Sequence, residues 1–246
     1  MIRGELLLPV YNNTTYVIGG AMYVVVIANA PALDAAPFAA QIRSAAYVIA
    51  ADGGALPLLQ LGVLPQVVIG DMDSLDEAAL ERLTSSGTAL HRFRRDKDET
   101  DLELALVYAA AIGASVIDVI GALGGRWDHT LANVALLALP ELQGRKVRLL
   151  ADKQTLTLVR DAALIEGHVG DTVSLIPLAG AVHGITTRGL QYPLHNATLS
   201  FERARGVSNV LLAPPGEVRI GGGLLLLVHH DDAGAHQWRG GHAQAN

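Results

Sequence analysis

The 246-residue chain contains no cysteine, which excludes disulfides, thiolate-ligated zinc and thiol nucleophiles, and fits a reducing cytoplasm. Half of its residues are hydrophobic, yet no uninterrupted apolar run approaches the roughly 20 residues of a membrane-spanning helix. The longest runs, 23–28 and 224–228, have strand length instead. Only 17% of residues are charged and the net charge is −6, so the basic footprint of a nucleic-acid surface is missing. The local cluster Arg92-Phe93-Arg94-Arg95 reads as phosphate-side or solvated. Also absent is a Gly-x-x-x-x-Gly-Lys-[Ser/Thr] loop, which argues against an ordinary P-loop kinase. The first residues lack a basic start followed by an apolar core and a small-residue cleavage site, so no secretory signal is expected. Residues 1–21 read as an N-terminal extension, either an added hairpin or a stretch upstream of a true start at Met22.

What is present divides by rhythm. From 22 to 150, short apolar runs (23–28, 47–50, 67–69, 89–93, 116–120, 147–150) alternate with helical stretches (37–46, 56–62, 76–85, 100–112, 129–139). That alternation predicts βαβ units around a parallel sheet, an α/β Rossmann-like domain. From 151 to 230 helical periodicity vanishes. Strand-length pieces at 155–159, 172–177, 185–187, 197–201, 209–213, 217–220 and 224–229 are separated by Gly, Pro, Asp and Asn, which predicts an all-β antiparallel sandwich domain. Residues 231–246 read as a flexible tail; His229-His230 and the tail histidines read as solvated surface, because no paired spacing on a defined element supports a metal site.

Acidic residues recur where apolar runs end. Val67-Val68-Ile69 leads into Gly70-Asp71-Met72-Asp73-Ser74, two carboxylates one residue apart at a strand terminus. In open parallel sheets ligands bind beyond the carboxyl ends of the strands, and hard oxygen ligands there suit Mg²⁺ shared with nucleotide phosphates. An Asx turn followed by a helix cap is the structural alternative. Tyr47-Val48-Ile49-Ala50 runs into Ala51-Asp52-Gly53-Gly54, whose glycines allow close backbone approach to a ligand or simply a tight turn. Lys97-Asp98-Glu99-Thr100-Asp101 opens a helical stretch; capping explains one or two of these acids, and Lys97 beside them fits a cation held for phosphate. Val116 to Ile120 leads to Gly124-Gly125-Arg126-Trp127-Asp128-His129, a glycine loop feeding a helix N-terminus, where Arg126 can bind phosphate oxygens bidentately.

In order and spacing, these four motifs resemble those of thiamine pyrophosphokinases. Residues 185–194, which include Arg188-Gly189-Leu190-Gln191-Tyr192, and Gly206-Val207-Ser208-Asn209 resemble the same family's thiamine-side motifs, and the similarity runs from about 22 to about 230. The resemblance implies transfer of the pyrophosphoryl group of ATP to the hydroxyl of thiamine, giving thiamine diphosphate and AMP. It implies Mg²⁺ on Asp71, Asp73 and Asp101, with Asp128 as a further catalytic candidate. The ATP side would comprise Asp52, Lys97, Thr100, Gly124, Gly125 and Arg126. Tyr192 matches the stacking aromatic, which is Trp in some relatives, and Ser208 and Asn209 match the polar pair for the aminopyrimidine. Read without the family, Tyr192 is a core or surface tyrosine before Pro193. The resemblance further implies a cytoplasmic homodimer with each active site shared between an ATP domain and a partner's sandwich. Two other functions compete: a diphosphokinase for another ring alcohol such as a hydroxymethylpterin, or a non-catalytic sensor of nucleotide or thiamine diphosphate.

Overall fold

The computed structural model describes residues 21–232; the expected N-terminal extension, apart from its last residue, and all but the start of the expected tail lie outside these. The first six strands are β1 (Tyr23–Ile27), β2 (Tyr47–Ala51), β3 (Val67–Gly70), β4 (Ala89–Arg92), β5 (Val116–Ile120) and β6 (Lys146–Ala151). Between them run α1 (Ala39–Ser44), α2 (Ala55–Gln60), α3 (Glu77–Ser85), α4 (Asp101–Ala111) and α5 (Trp127–Leu136). The six strands pair in parallel, in the order β6-β5-β1-β2-β3-β4. Chain order therefore reverses direction between β1 and β5, which makes their carboxyl ends the switch point of this half.

The apolar runs explain why these strands are central. Val24 and Val26 face one core and Val25 and Ile27 the other, all fully buried. Successive strand residues point to opposite faces, so a run with no polar interruption suits only a strand covered on both sides. The helix α4 supplies one cover. It is apolar nearly all round, and its Ala105 and Ala109 are small enough for it to lie close on the sheet. Its start is set by Thr100, whose hydroxyl accepts from the Glu103 N–H at 3.1 Å.

The all-β half contains β7 (Gln154–Val159), β8 (Ala162–Ile165), β9 (Thr172–Pro177), β10 (Val182–Arg188), β11 (Ala197–Leu199), β12 (Asn209–Val210), β13 (Gly216–Arg219) and β14 (Leu225–His230). Four of these do not form a sheet of their own. Strand β7 turns back antiparallel on β6, and β14, β9 and β12 follow, giving one ten-stranded sheet in the order β12-β9-β14-β7-β6-β5-β1-β2-β3-β4. The remaining strands make a separate antiparallel sheet, β11-β10-β13-β8. Its inward residues Ile185, Val218 and Ile165 share a core with Val173, Leu175 and Leu225 of the large sheet, so two sheets do pack face to face. Among the described residues, no helix is long and apolar enough to cross a membrane.

Two polar clusters brace this frame. Asp118, fully buried in β5, accepts from Arg148 of β6 at 2.6 and 2.7 Å and from the Tyr23 hydroxyl of β1 at 2.8 Å. Burial first, and then the Asp118 charge, push the Tyr23 hydroxyl far above its ordinary pKa. At the other end, Asp171 Oδ2 accepts from the His168 N–H at 2.7 Å and meets His229 Nε2 at 2.8 Å, joining the β8–β9 turn to the end of β14. His229 thus has a bracing role rather than the solvated one expected of it.

Candidate active site

Three of the acids expected at strand ends converge. Asp52, Asp71 and Asp101 each bring a carboxylate oxygen within 4.8 Å of the other two. Each is delivered differently. Asp52 is the residue after β2 and opens the turn Asp52–Gly54, with φ at +44° and 2% exposure. That turn must lie against β1, since a Cβ at Gly54 would sit 2.2 Å from the Ile27 carbonyl oxygen. Asp71 follows β3, and Asp101 is the first residue of α4. Gly70 closes the group: a Cβ there would lie 2.9 Å from Asp52 Cβ and 3.1 Å from Asp101 Cγ, so any side chain would fill the space between the acids.

The electrostatics of this cluster are unbalanced. Two full charges about 4.8 Å apart repel by roughly 3 kcal/mol at an effective dielectric of about 20. Lys97 Nζ lies 2.8 Å from Asp101 Oδ1 and offsets part of this. Burial, opposed by Lys97 and reinforced by Asp52 and Asp71, nevertheless holds the Asp101 carboxyl above its ordinary pKa. Asp52 Oδ2 accepts from Asn29 Nδ2 at 3.1 Å, whereas its buried Oδ1 has no hydrogen-bond donor among the described residues. A buried carboxylate oxygen costs free energy when it is left without a partner. Three hard oxygen donors, one of them unsatisfied, suit a small divalent cation such as Mg²⁺.

Asp73 stands outside this group. Met72, buried at φ +67°, turns the chain so that Asp73 projects outward, where its carboxylate meets Arg95 at 3.4 Å and the Ser74 hydroxyl at 3.3 Å. Its backbone N–H donates to Asp71 Oδ1 at 3.1 Å, the Asx turn weighed from the sequence. Asp52 occupies the third position instead. Of the basic cluster 92–95, Arg94 pairs with Asp96 at 2.5 Å and Arg95 with Asp73, both arginines well exposed. Thr100 is engaged as the cap of α4.

Asn29 was not singled out from the sequence. It follows β1, as Asp52 follows β2 and Asp71 follows β3, and its amide bridges Asp52 Oδ2 and the Ser74 hydroxyl (3.0 Å). It thereby ties the loops after β1, β2 and β3 together. A Cβ at Gly53 would collide with it at 2.5 Å, so the second glycine of that turn makes room for the Asn29 amide. The polar residue at a strand end was the available signal, but a lone Asn between alanines carries no pattern.

The glycine loop lies after β5. Gly124 and Gly125 adopt φ of +89° and +66°, conformations that L side chains rarely take. The loop is pinned to α5 by Thr130, whose hydroxyl donates to the Gly124 carbonyl at 3.0 Å, and by Asn133, which donates to that of Ala122 at 2.8 Å. Arg126 immediately precedes α5, and its side chain, instead of capping the helix, forms a bidentate pair with Asp128, one bond at 3.1 Å. The Arg126 guanidinium holds the Asp128 carboxyl down at about 2. Both side chains are exposed, and neither belongs to the acid cluster.

The residues expected to hold a flat ring form a second locus. Tyr192 is 63% exposed. Its backbone is clamped by the buried Asn209, which accepts from the Tyr192 N–H at 3.0 Å and donates to its carbonyl at 2.8 Å. The Asn209 carbonyl oxygen also accepts from the Val210 N–H at 2.9 Å, so this amide works mainly on the loop that presents Tyr192. Ser208, at φ +59°, donates its N–H to Ser174 Oγ at 3.0 Å. In the large sheet β12 stands seven strand spacings from β2. At about 4.8 Å each, and with some shortening by twist, the two loci of one chain are roughly 30 Å apart.

Comparison with known proteins gives a consistent result. The model of the thiamin pyrophosphokinase catalytic domain matches residues 38–149, and that of the thiamin pyrophosphokinase vitamin B1 binding domain matches 160–225. Thiamine pyrophosphokinase of Bacillus subtilis (strain 168) is 32% identical over 187 residues, covering 75% of this chain and 87% of that protein. Thiamine pyrophosphokinase 3 of Oryza sativa subsp. japonica is 30% identical over 158 residues, 60% of this chain and 58% of that longer one. The crystal structure of the Bacillus subtilis enzyme superposes with a TM-score of 0.75 at 28% identity, covering 85% of this chain and 99% of that one. Thiamin pyrophosphokinase from Candida albicans, 17% identical with a TM-score of 0.72, shares the fold over 86% of this chain and 90% of its own.

Proposed function

The chain belongs to the thiamine pyrophosphokinase family, and from that premise we propose that it transfers the pyrophosphoryl group of ATP to the hydroxyl of thiamine, at a site completed by two copies of the chain. In this reading the Rossmann-like half binds ATP and the sandwich half binds thiamine. The thiamine oxygen forms a bond to the β-phosphorus, the bridging oxygen between the α- and β-phosphorus leaves with AMP, and the hydroxyl proton passes to a carboxylate of the site. Such transfers rest on positioning and charge neutralisation rather than on covalent work by the protein.

The observation that carries this reading is the convergence of Asp52, Asp71 and Asp101 around a carboxylate oxygen without a donor. These three would hold Mg²⁺, which supplies charge neutralisation at the phosphate oxygens when bound. Asp73 stands next in line. Lys97, only 14% exposed, pairs with Asp101 at 2.8 Å and offsets part of the cluster's negative charge. Arg126, exposed on the glycine loop, is available to phosphate oxygens once it exchanges Asp128 for them. Tyr192 offers a face to the cationic thiamine ring, an attraction worth about 0.5–2 kcal/mol. Ser208 lies beside it, and Asn209 acts by holding the Tyr192 loop.

The separation of the two loci supports a homodimer. A single thiamine cannot span roughly 30 Å, so the acids of one chain and Tyr192 of another must meet if both serve one substrate. The reading is tested by AMP release that requires thiamine, ATP and Mg²⁺ together. Absence of AMP from the purified protein with all three present would overturn it.

A further inference from the structure

A second set of metal-ligating side chains meets where β14 ends. His168 Nδ1 lies 3.9 Å from Asp171 Oδ2 and 4.0 Å from Asp231 Oδ1, and one ligand atom from each of the three lies within 4.8 Å of the other two. Asp171 and Asp231 are only 1% and 4% exposed, whereas the His168 side chain is more than half exposed. In the large sheet β14 stands five strand spacings from β2, roughly 24 Å at about 4.8 Å each, so this group is separate from Asp52, Asp71 and Asp101. No histidine spacing marks it in the sequence, because His168 comes from the β8–β9 turn and Asp231 from just past β14.

The geometry is that of ligands around an ion more than of an ion pair. At 3.9 and 4.0 Å, His168 Nδ1 is beyond hydrogen-bond reach of both acids. Two atoms bound to one zinc-type ion at about 2.0–2.2 Å stand about 3.4 Å apart at the tetrahedral angle, so a shift of about 0.5 Å by the exposed imidazole closes the set. Asp171 is prepared as an anion. Burial works against its charge, but the His168 N–H, at 2.7 Å, and His229, at 2.8 Å, outweigh it and hold the carboxyl below its ordinary pKa. With the Asp232 N–H at 3.2 Å they use three of the roughly four acceptor sites of a carboxylate and leave one for a metal. Gly167 keeps the wall of the group open, since a Cβ there would lie 2.5 Å from Asp171 Oδ2 and 2.6 Å from His229 Nε2.

We propose that His168, Asp171 and Asp231 bind a first-row divalent transition metal of the zinc type, with His229 as the positioning residue for Asp171. One imidazole nitrogen with two carboxylates suits such an ion better than Mg²⁺, which takes oxygen donors, and three protein ligands leave a position for water. The ion would tie the β8–β9 turn to the end of β14. The same turn grips the chain just past β12. The Gly170 N–H donates to the Leu211 carbonyl at 2.8 Å and the Leu211 N–H to that of Asp171 at 2.9 Å, two residues beyond the Asn209 that clamps the Tyr192 loop.

The experiment counts Zn²⁺ bound to the full chain by equilibrium dialysis and metal analysis, in excess Mg²⁺. Wild type is expected to hold one equivalent more than His168→Ala, and Asp231→Asn to lose that same equivalent. Because the difference between chains is read, Zn²⁺ on the acid cluster or on histidines beyond residue 232 is common to all of them and cancels. His229→Gln is expected to keep the equivalent at about tenfold to a hundredfold lower affinity, the usual effect of losing a group that orients a ligand. Should Asp231→Asn fail to fold, His168→Ala, which alters an exposed side chain, decides. Equal Zn²⁺ binding by wild type and His168→Ala overturns the site, retention of the equivalent by folded Asp231→Asn overturns the three-ligand set, and unchanged affinity in His229→Gln overturns the positioning role.

Discussion

If the acid cluster of one chain serves the Tyr192 of another, two crippled variants must rescue each other. Asp71→Asn removes a metal-side carboxylate and is expected to leave no measurable turnover. Tyr192→Ala removes a stacking face worth about 1–2 kcal/mol, which at limiting thiamine leaves roughly a fifth to a thirtieth of the activity. Mixed in equal amounts, dissociated and reassociated, the chains form about half heterodimers. In each heterodimer one site carries both lesions and the other carries neither, so about a quarter of all sites are wild type. Adding the residual activity of the Tyr192→Ala homodimers gives about 0.26–0.30 of the wild-type rate. Sites built within one chain give only the average of the two parents, about 0.02–0.10. The assay is AMP release at a thiamine concentration well below that needed for half-saturation of the wild-type protein. A rate that stays at the parental average, after subunit exchange has been demonstrated with differently tagged chains, refutes the shared site.

Four further outcomes are expected. Asp52→Asn should lower turnover by at least about 100-fold and Asp73→Asn by clearly less, since only the first removes a member of the cluster; the reverse order in steady-state rates would restore Asp73 to the metal. Asn29→Ala should raise the Mg²⁺ concentration needed for half-maximal rate by about tenfold while sparing thiamine dependence, as expected for a residue that orients a ligand; an unchanged Mg²⁺ titration would make Asn29 merely structural. Arg126→Ala should raise the KM for ATP and leave thiamine affinity by titration alone, and equal loss of both with an unchanged melting curve would remove it from the phosphate side. Arg148→Ala should cost about 3–5 kcal/mol of stability, because it leaves the fully buried Asp118 carboxylate facing only Tyr23; a denaturant midpoint close to wild type would show that the pair is dispensable.

The positions of the acids were legible because a Gly-Asp pair after a run such as Val67-Val68-Ile69 combines a buried strand with a residue that cannot follow it into the core. Which acids meet was not legible. Asp71 and Asp73 look equivalent in sequence, and the left-handed turn at Met72 that separates them depends on where that side chain is buried. Asp52 is drawn in by the contact of its glycine turn with β1, a tertiary effect. The clamp of Asn209 on Tyr192 joins residues 17 apart through a loop geometry that no local pattern encodes. Strand β8 escaped notice because Ala162-Ala163-Leu164-Ile165 is short and half alanine, which favours strands weakly. The change of rhythm near residue 150 is real, but periodicity says nothing about which edges pair, so the union of both halves in one sheet could not be read from it.

That union has a consequence for anyone dividing the protein. The β6–β7 pairing, Arg148 with Thr157 through Ala151 with Gln154, is the seam between the parallel and antiparallel strands. Cutting the chain there would not release two finished modules. It would strip the covering neighbour from β6 on one fragment and from β7 on the other, leaving two raw borders of unpaired amides and carbonyls beside strongly apolar strands. Such borders recruit other chains, so separately expressed halves should precipitate or self-associate even where each retains its own core.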